Sequence, residues 1–507
     1  MDLLFKKQAF IGLFAALLIS PSAFAADDKA LLDTLLENGV ITQEQYDSLA
    51  ASVAGEGEAE AGEEAAAVAA ATGLTEAEVD AKIDEAIKKD SPVKASYGSK
   101  GFRLESRDGN FQTNLQWRAQ FRYSNPQDGD PRQIKDYNDE DVSSFEPRRL
   151  RMKIGGHGFK PWLKYYFEVD LQPARDPEAD AQSSAARVIT WRADIAKYKG
   201  ASLRVGQWKI EQNRERVDSS GRQQFVERSI VNRVFTIDRQ VGLQLKGRLF
   251  QESWADMRYW AGVYNGEGRS VRNEGNDHMY SGRLQWNFLR RDLKWRQSDV
   301  KFHEKPTGSL AFAATTNTGR CTRWSSSGCG NLDGFLKPVV ADSDQYKTQQ
   351  WVQEFAFKYR GWSIQQEYHH KKIDDKGKTV LDDDDNVIVS APADKYKLDG
   401  FYLQSGYFFH NVWKAFPEKM ELAARYAYVK EPNAGLRDGE TAETDQAKLA
   451  NSDIDNKRRE YTAAVNYFFN GHRNKLTLDY SHLTLDNGLT EEDEKENRVR
   501  VQWDVSF

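Results

Sequence analysis

Polar and apolar residues alternate one by one along most of the chain, and the alternation is clearest in the terminal segment NRVRVQWDVSF. The residues on one of its faces are apolar: Val499, Val501, Trp503, Val505 and Phe507. The residues between them are polar or charged. A period of two predicts a β-strand with one apolar and one wet face. A strand of about ten residues with this pattern is long enough to cross a bilayer.

Comparable alternating segments recur from Phe111 onward, and they number about sixteen. Long and short connections follow one another between them, as outer loops and periplasmic turns do in membrane barrels. Strands survive in lipid only when every backbone group is paired, so these strands must close on themselves. The sequence therefore predicts an all-β fold, a transmembrane antiparallel β-barrel of about sixteen strands over residues 92–507. A soluble β-sandwich is the alternative, and the long connection at 289–307 leaves the strand register there open.

The segment before the barrel has a different composition. Residues 1–25 have the pattern of a secretory signal peptide, with Lys6 and Lys7 before an apolar run and an A-x-A site at its end. Residues 26–91 predict short helices and a flexible linker. The last helix has one narrow apolar stripe, which either forms a short coiled coil with neighbouring subunits or lies on the barrel or in solvent. Export and a barrel together predict the outer membrane of a Gram-negative cell.

The chain has two cysteines, Cys321 and Cys329, in a Gly/Ser-rich connection. In an oxidising compartment this spacing predicts a disulfide that closes one loop. Two thiols without a nearby histidine are too few ligands for a metal, so neither a metal site nor a cofactor is expected. The scattered histidines offer no nucleophile and base at a common site, so we expect no catalytic residues and no enzyme. Nothing in the sequence indicates a nucleic-acid partner.

A barrel of about sixteen strands encloses water, so the charges on its inward faces select the permeant solutes. The basic residues on these faces are Arg118, Arg122, Arg149, Arg151, Lys153, Lys164, Arg192, Lys246, Arg258, Arg283, Lys358, Arg425, Lys475, Arg498 and Arg500. The acidic ones are Glu168, Asp170, Asp194, Glu354, Glu367, Glu421, Asp479 and Asp504. The basic excess contrasts with a formal net charge of −6 for the whole chain. It predicts a pore for small anions, the alternative being that these charges pair across strands.

The third long connection, residues 211–238, is the expected constriction. It contains apolar residues such as Phe225, Ile230 and Phe235, which an exposed loop rarely carries, so we expect it to fold inward onto the wall. Its arginines are Arg214, Arg216, Arg222, Arg228 and Arg233. They are matched by acids, so the sequence leaves open which charges face the bore.

Five stretches carry a family resemblance: LLDTLLENGVITQEQYDSL, GFRLESRDGNFQTNLQWRAQ, EPRRLRMKIGG, LRVGQWKI and FVERSIVNRVFTIDRQVGLQL. They resemble the phosphate-selective porin O and P family. The resemblance implies a homotrimer whose third loop narrows a channel for phosphate or polyphosphate. By position it implies anion-binding roles for the third-loop arginines, for Arg239, and for Arg149, Arg151 and Lys153 of the second strand.

Acids are interspersed in the third connection of this chain, so a general small-solute porin without phosphate selectivity is the alternative. A surface receptor or adhesin barrel is the second alternative, suggested by the long acidic loops. These loops are also suited to lipopolysaccharide phosphates bridged by divalent cations, which makes outer-membrane lipid an expected partner. The terminal Phe507 resembles the aromatic ending that the barrel-assembly machinery reads.

Overall fold

A computed structural model describes residues 93–126, 143–171, 186–326, 328–381, 387–433, 450–488 and 493–507, together with Asp33, Leu36, Gln43, Tyr46 and Asp47. The chain divides into two compact units, Met1–Lys94 and Ala95–Phe507. The predicted signal peptide, linker and last N-terminal helix lie outside the described residues.

Within the first unit, Asp33, Leu36, Gln43, Tyr46 and Asp47 are all helical. The Gln43 amide donates to Asp47 at 3.0 Å, one helical turn further on. The Tyr46 hydroxyl donates to Asp33 at 2.6 Å. These positions fall within the two short helices that the sequence predicts before the linker.

The second unit is built almost wholly from strands. They are β1 (Val93–Gly98), β2 (Gly101–Ser106), β3 (Gln112–Asn125), β4 (Ser144–His157), β5 (Leu163–Asp170), β6 (Arg187–Tyr198), β7 (Ala201–Lys209), β8 (Arg239–Leu249), β9 (Met257–Tyr264), β10 (Met279–Trp286), β11 (Thr307–Gly319), β12 (Arg323–Ser325), β13 (Gly328–Gly330), β14 (Tyr346–Tyr359), β15 (Trp362–Asp375), β16 (Lys378–Leu381), β17 (Val387–Ala391), β18 (Asp394–Tyr407), β19 (Met420–Asn433), β20 (Asn451–His472), β21 (Asn474–Asp486) and β22 (Asp493–Ser506). The helical elements are α1 (Arg214–Val217), α2 (Val231–Phe235) and 3₁₀ turns at Ser220–Arg222 and Phe409–Asn411. Within the described ranges, no helix has the length and apolar character needed to cross a membrane.

Sixteen of these strands form one closed antiparallel barrel. They are β3 to β11, β14, β15 and β18 to β22, each paired with its neighbours. The barrel closes where β22 pairs with β3, so that Trp503 lies opposite Phe121. The predicted barrel and its strand number are confirmed. The sequence did not predict β2, which pairs with the start of β3, or the small hairpins β12–β13 and β16–β17 in two of the long connections.

Alternate side chains point out of and into the barrel. On β3, Trp117 and Phe121 are 42% and 45% exposed, whereas Arg118 between them is 4% exposed. Trp503 of β22 is likewise exposed and stacks on Phe121 with ring centroids 5.8 Å apart. The apolar face therefore points outward, and the charged face lines the interior, as the alternation predicts.

The third loop, residues 210–238 between β7 and β8, folds into the barrel as predicted. Its residues Val231, Val234 and Phe235 are fully buried in a core with Tyr402 and Leu398 of the wall. Apolar side chains that would be unfavourable in an exposed loop are thus removed from water. The interior of this barrel is partly filled by a protein core.

A second packed region surrounds the cysteines. Cys321 and Cys329 form a disulfide with Cα atoms 5.6 Å apart. Cys321 is buried beside Trp208 and Trp324, in a cluster that joins β7 to the β12–β13 hairpin. The disulfide joins the segment that precedes β12 to the middle of β13, and so fixes this hairpin at the outer end of the barrel.

Candidate functional site

Acidic residues of the barrel wall hold the third loop in place by accepting hydrogen bonds from its backbone. The bonds run from Arg214 N to Glu354 (3.0 Å), Glu215 N to Glu367 (2.7 Å), Val226 N to Asp479 (2.8 Å) and Ile230 N to Glu460 (2.8 Å). A fifth acid, Glu421, accepts from the Gln224 side chain at 2.8 Å. A loop with little regular structure needs such partners for its buried N–H groups. These acids bind the loop and do not face the open lumen.

Arginines of the wall complete the charge balance around the same acids. Arg283 pairs with Glu354, Arg425 with Glu460, and Arg500 with Asp479 at 3.0 Å. Each carboxylate is therefore shared between a wall guanidinium and a loop backbone. The sequence left open whether the inward charges attract anions or pair with one another across strands. On this side of the lumen they pair with one another.

The connection between β10 and β11, residues 287–306, also folds into the barrel. Its Gln297 accepts from the backbone N of Gln224 at 2.7 Å and donates to the Gln223 side chain at 2.6 Å. Its Trp295 ring lies 5.3 Å from the Arg214 guanidinium carbon and 4.9 Å from that of Arg283. The lumen is thus narrowed from both ends, by the third loop and by this inward turn. Its unusual length in the sequence reflects this role, and the flanking strands end at Trp286 and begin again at Thr307.

Two adjoining cavities of about 570 and 480 Å³ lie between the third loop and strands β4 to β9, the smaller one also against β3, and together they are called the passage. They share Lys153, Tyr166, Arg192 and Arg222. Around the larger cavity, eleven side chains are basic: Arg151, Lys153, Arg192, Arg204, Lys209, Arg222, Arg239, Lys246, Arg248, Arg258 and Arg296. Three are acidic: Glu168, Glu211 and Asp218.

Most of these cations are paired. Glu168 lies 3.3 Å from Arg151 and 3.4 Å from Arg239. Glu211 pairs with Arg204 at 2.9 Å. Asp194, on the smaller cavity, pairs with cations on three sides, Arg192, Arg204 and Lys246.

Two cations of the passage stand apart from these pairs. Within the described part of the chain, the side chains of Lys153 and Arg222 form neither an ion pair nor a hydrogen bond. Lys153 belongs to the wall strand β4, and Arg222 ends the 3₁₀ turn of the third loop. Glu168 is the cross-strand neighbour of Lys153, and Asp218 lines the same cavity as Arg222, but both acids pair with other cations.

The arginines singled out from the sequence separate into two groups. Those that line the larger cavity, with Lys153, are Arg151, Arg192, Arg222, Arg239 and Arg258. The others lie outside the lining of both cavities. Five of them form ion pairs: Arg118 with Asp504, Arg216 with Asp238, Arg233 with Asp333, Arg283 with Glu354 and Arg425 with Glu460. Three donate hydrogen bonds: Arg149 to Gln120, Arg214 to the Lys294 carbonyl, and Arg228 to the Glu215 and Asp218 carbonyls. This second group holds the third loop and the wall together.

Several lining cations were not among the residues predicted for the site. Arg204 of β7 lies on the inward face, so the alternation of β7 could have identified it. Arg296 lies in the inward turn and pairs with Asp218 at 3.5 Å. No periodic pattern marks a residue of an irregular segment, so Arg296 could not have been found in that way.

A family model described as phosphate-selective porin O and P matches residues 123–507. The chain belongs to this family. It is an outer-membrane porin, and family and fold point to a channel and not to an enzyme. None of the curated proteins compared with this chain matches it.

Several solved structures resemble this porin. OmpT of Vibrio cholerae aligns over 78% of this chain and 98% of its own, with 11% identity and a TM-score of 0.46. The outer-membrane channel DcaP of Acinetobacter baumannii aligns over 80% and 99%, with 11% identity and a TM-score of 0.45. An anion-selective porin from Comamonas acidovorans aligns over 78% and 99%, with 10% identity and a TM-score of 0.44.

Proposed function

We propose that this porin passes small anions, phosphate among them, through the passage between the third loop and strands β4 to β9. The observation that supports the proposal is the charge of the larger cavity, with eleven basic and three acidic lining residues. The acids that hold the third loop lie on the other side of the lumen. A narrow basic bore replaces part of an anion's hydration shell and repels cations.

Within this passage, we assign the main anion contact to Lys153 and Arg222. Both line both cavities, so an anion moving between the cavities passes them. Lys153 is a compact point charge, whereas Arg222 offers a planar fork that matches phosphate oxygens. The paired cations around them contribute a weaker field because each shares its charge with a carboxylate.

The test is a planar-bilayer recording of the purified porin. We expect a reversal potential on the anion side in a KCl gradient, and a chloride current that falls when inorganic phosphate is added at constant chloride. Anion preference without phosphate block would indicate a general anion porin, in which the paired cations only repel potassium. A reversal potential on the cation side would refute the proposal.

We also propose that the porin is a homotrimer. Support comes from the family to which the chain belongs, and native mass spectrometry of the detergent-extracted protein measures the subunit number directly. A monomer at all detergent concentrations would contradict this assignment.

The proposed signal for barrel assembly involves Phe507, whose backbone pairs with that of Trp117 at 3.0 and 3.1 Å. Deletion of Phe507 should therefore lower the yield of inserted protein. The measurement is the fraction of the porin that resists unfolding on unheated gels of membrane extracts.

A further inference from the structure

The outward face of the barrel carries a groove that the channel function does not use. The groove has a volume of about 990 Å³ and spans strands β7 to β15. Its floor is a row of small residues in register on three neighbouring strands, Ala261, Gly282 and Ala314. A Cβ atom placed on Gly282 meets no atom within 4 Å, so the floor is open to the membrane.

Large apolar side chains form the sides of this groove. In the same cross-strand row, Leu245 lies opposite Ala261 at one end, and Trp351 lies opposite Ala314 at the other. Phe312 stacks on Trp351 with ring centroids 5.9 Å apart. The dimensions and lining suit an alkyl chain, because small residues between bulky ones leave a trough that lipid tails can fill.

The lining of the groove includes the next row toward the outer ends of the strands. The long connections lie at this end, whereas the strand ends near Thr307, Tyr359 and Trp362 lie at the end with the short turns. One row further toward the outside, Thr316 pairs with Gln349, Gln349 with Lys372, and Lys372 with Lys397 of β18. An alkyl chain in the groove therefore belongs to a lipid of the outer leaflet.

Two lysines stand side by side at this rim. Lys372, which lines the groove, and Lys397 are direct cross-strand partners, both exposed on the outward face. Neither forms an ion pair within the described residues. Like charges directly opposite on neighbouring strands destabilise a sheet unless an anion lies between them.

One of the nearest acids on this face, Asp399, has other partners. Asp399 accepts hydrogen bonds from His370 at 2.8 Å and from the Tyr368 hydroxyl at 2.9 Å. Asp374 lies one row further out, opposite a lysine on each side. A basic patch beside an apolar trough remains, at the depth where lipid headgroups lie.

We propose that this face binds one lipopolysaccharide molecule, with an acyl chain in the groove and a lipid A phosphate between Lys372 and Lys397. A phosphate monoester carries up to two negative charges and matches a pair of ammonium groups. The phosphodiester of a phospholipid carries one charge and matches the pair less well. The proposal rests on the outer-membrane location and not on the solute that the channel passes.

The experiment measures binding of purified deep-rough lipopolysaccharide to the delipidated, folded porin by native mass spectrometry. The headgroup variant is Lys372→Gln with Lys397→Gln, and we expect it to bind about 30-fold more weakly. The groove variant is Gly282→Trp, which fills the trough, and we expect at least about tenfold weaker binding. Single-channel conductance should stay unchanged in both variants, because these residues point away from the lumen.

Matched controls place the same changes elsewhere on the outward face. Lys197→Gln with Lys199→Gln removes two exposed lysines, one at the periplasmic end of β6 and one in the turn that follows, and Leu478→Trp adds an indole on β21 outside the groove. Both controls should bind lipopolysaccharide like the wild type. The mobility of each variant on unheated gels shows whether it is folded. If the double lysine variant does not fold, the single variant Lys372→Gln replaces it in the binding experiment.

Three results would overturn the proposal. If both the headgroup variant and the groove variant bind lipopolysaccharide like the wild type, the proposed site does not exist. Phosphatidylglycerol that competes equally indicates ordinary annular lipid. A Gly282→Trp porin that loses its subunit association while keeping its lipopolysaccharide affinity shows that the groove is a contact with a second copy of the chain.

Discussion

Neutralising Lys153 and Arg222 should remove much of the phosphate affinity of the channel. The perturbation is Lys153→Gln, Arg222→Gln and the double change, each of which keeps a polar side chain of similar length. Both residues face the shared part of the two cavities and have no carboxylate partner among the described residues. Their removal therefore takes away positive charge without breaking an ion pair, and Glu168 opposite Lys153 keeps its pairs with Arg151 and Arg239.

The expected magnitude follows from Coulomb's law. Two unit charges about 4 Å apart in water interact by about 1 kcal/mol, which changes a binding constant roughly fivefold. Two such charges contribute about 2 kcal/mol, or roughly 30-fold, if they act independently. Protein walls lower the effective dielectric of the passage below that of water, so these values are lower bounds.

The assay is the phosphate concentration that halves the chloride current, together with the reversal potential in a KCl gradient. Each single variant should need roughly five times more phosphate than the wild type, and the double variant roughly 30 times more. The control is Arg459→Gln, which removes one positive charge from the outward face of β20. A double variant with the block and reversal potential of the wild type would refute the assignment, provided that its conductance in concentrated salt is unchanged.

Three further predictions concern the loops. Gln297→Ala removes two hydrogen bonds between the inward turn and the third loop, worth about 1 kcal/mol each, and should raise single-channel conductance and current noise. Loss of the disulfide in Cys321→Ser with Cys329→Ser should lower the stability of that hairpin by roughly 2–3 kcal/mol, measured as faster hydrogen exchange. Burial alone would raise the pKa of Asp292, but hydrogen bonds from Arg258 and Lys294 lower this pKa to about 2. Asp292→Asn should therefore leave Arg258 unpaired and shift the reversal potential further to the anion side.

The pH dependence of the last variant provides its check. Because the folded pKa of Asp292 is lowered, its ion pair is complete above the ordinary aspartate pKa of about 4 and is lost as the pH falls toward about 2. Wild type and Asp292→Asn should thus differ at pH 7, and the difference should halve near pH 2 and vanish below it. Equal reversal potentials at pH 7 would show that Arg258 does not act on the permeant ion.

For Gln297→Ala, the lipid-facing change Gln366→Ala is the control. Equal conductance in both variants would show that Gln297 does not hold the third loop in place.

Local patterns were enough to predict the barrel. The two faces of a strand can be read from its own residues. The alternation from Trp117 to Tyr123 on β3 therefore already separates the side chains that face lipid from those that face the lumen. The apolar content of the third loop likewise predicts that it turns inward, because burial of Val234 and Phe235 is favourable wherever the partners come from. The same reasoning missed the inward turn at 287–306, although it too carries apolar residues such as Leu293 and Trp295, because its place in the lumen is also fixed by hydrogen bonds between distant polar residues.

What the sequence by itself determined is the number of strands, the orientation of each side chain and the segment that enters the lumen, since all of these follow from neighbouring residues. Which charges remain open to a solute was decided by tertiary structure alone. Asp479 accepts from the backbone of Val226 across 253 residues of chain, and pairs of this kind withdraw acids and arginines from the bore. Lys153 and Arg222 remain open because the acids near them pair with other cations, Glu168 with Arg151 and Arg239, and Asp218 with Arg296. Pairing depends on distances that closure of the barrel sets, and no local pattern encodes them.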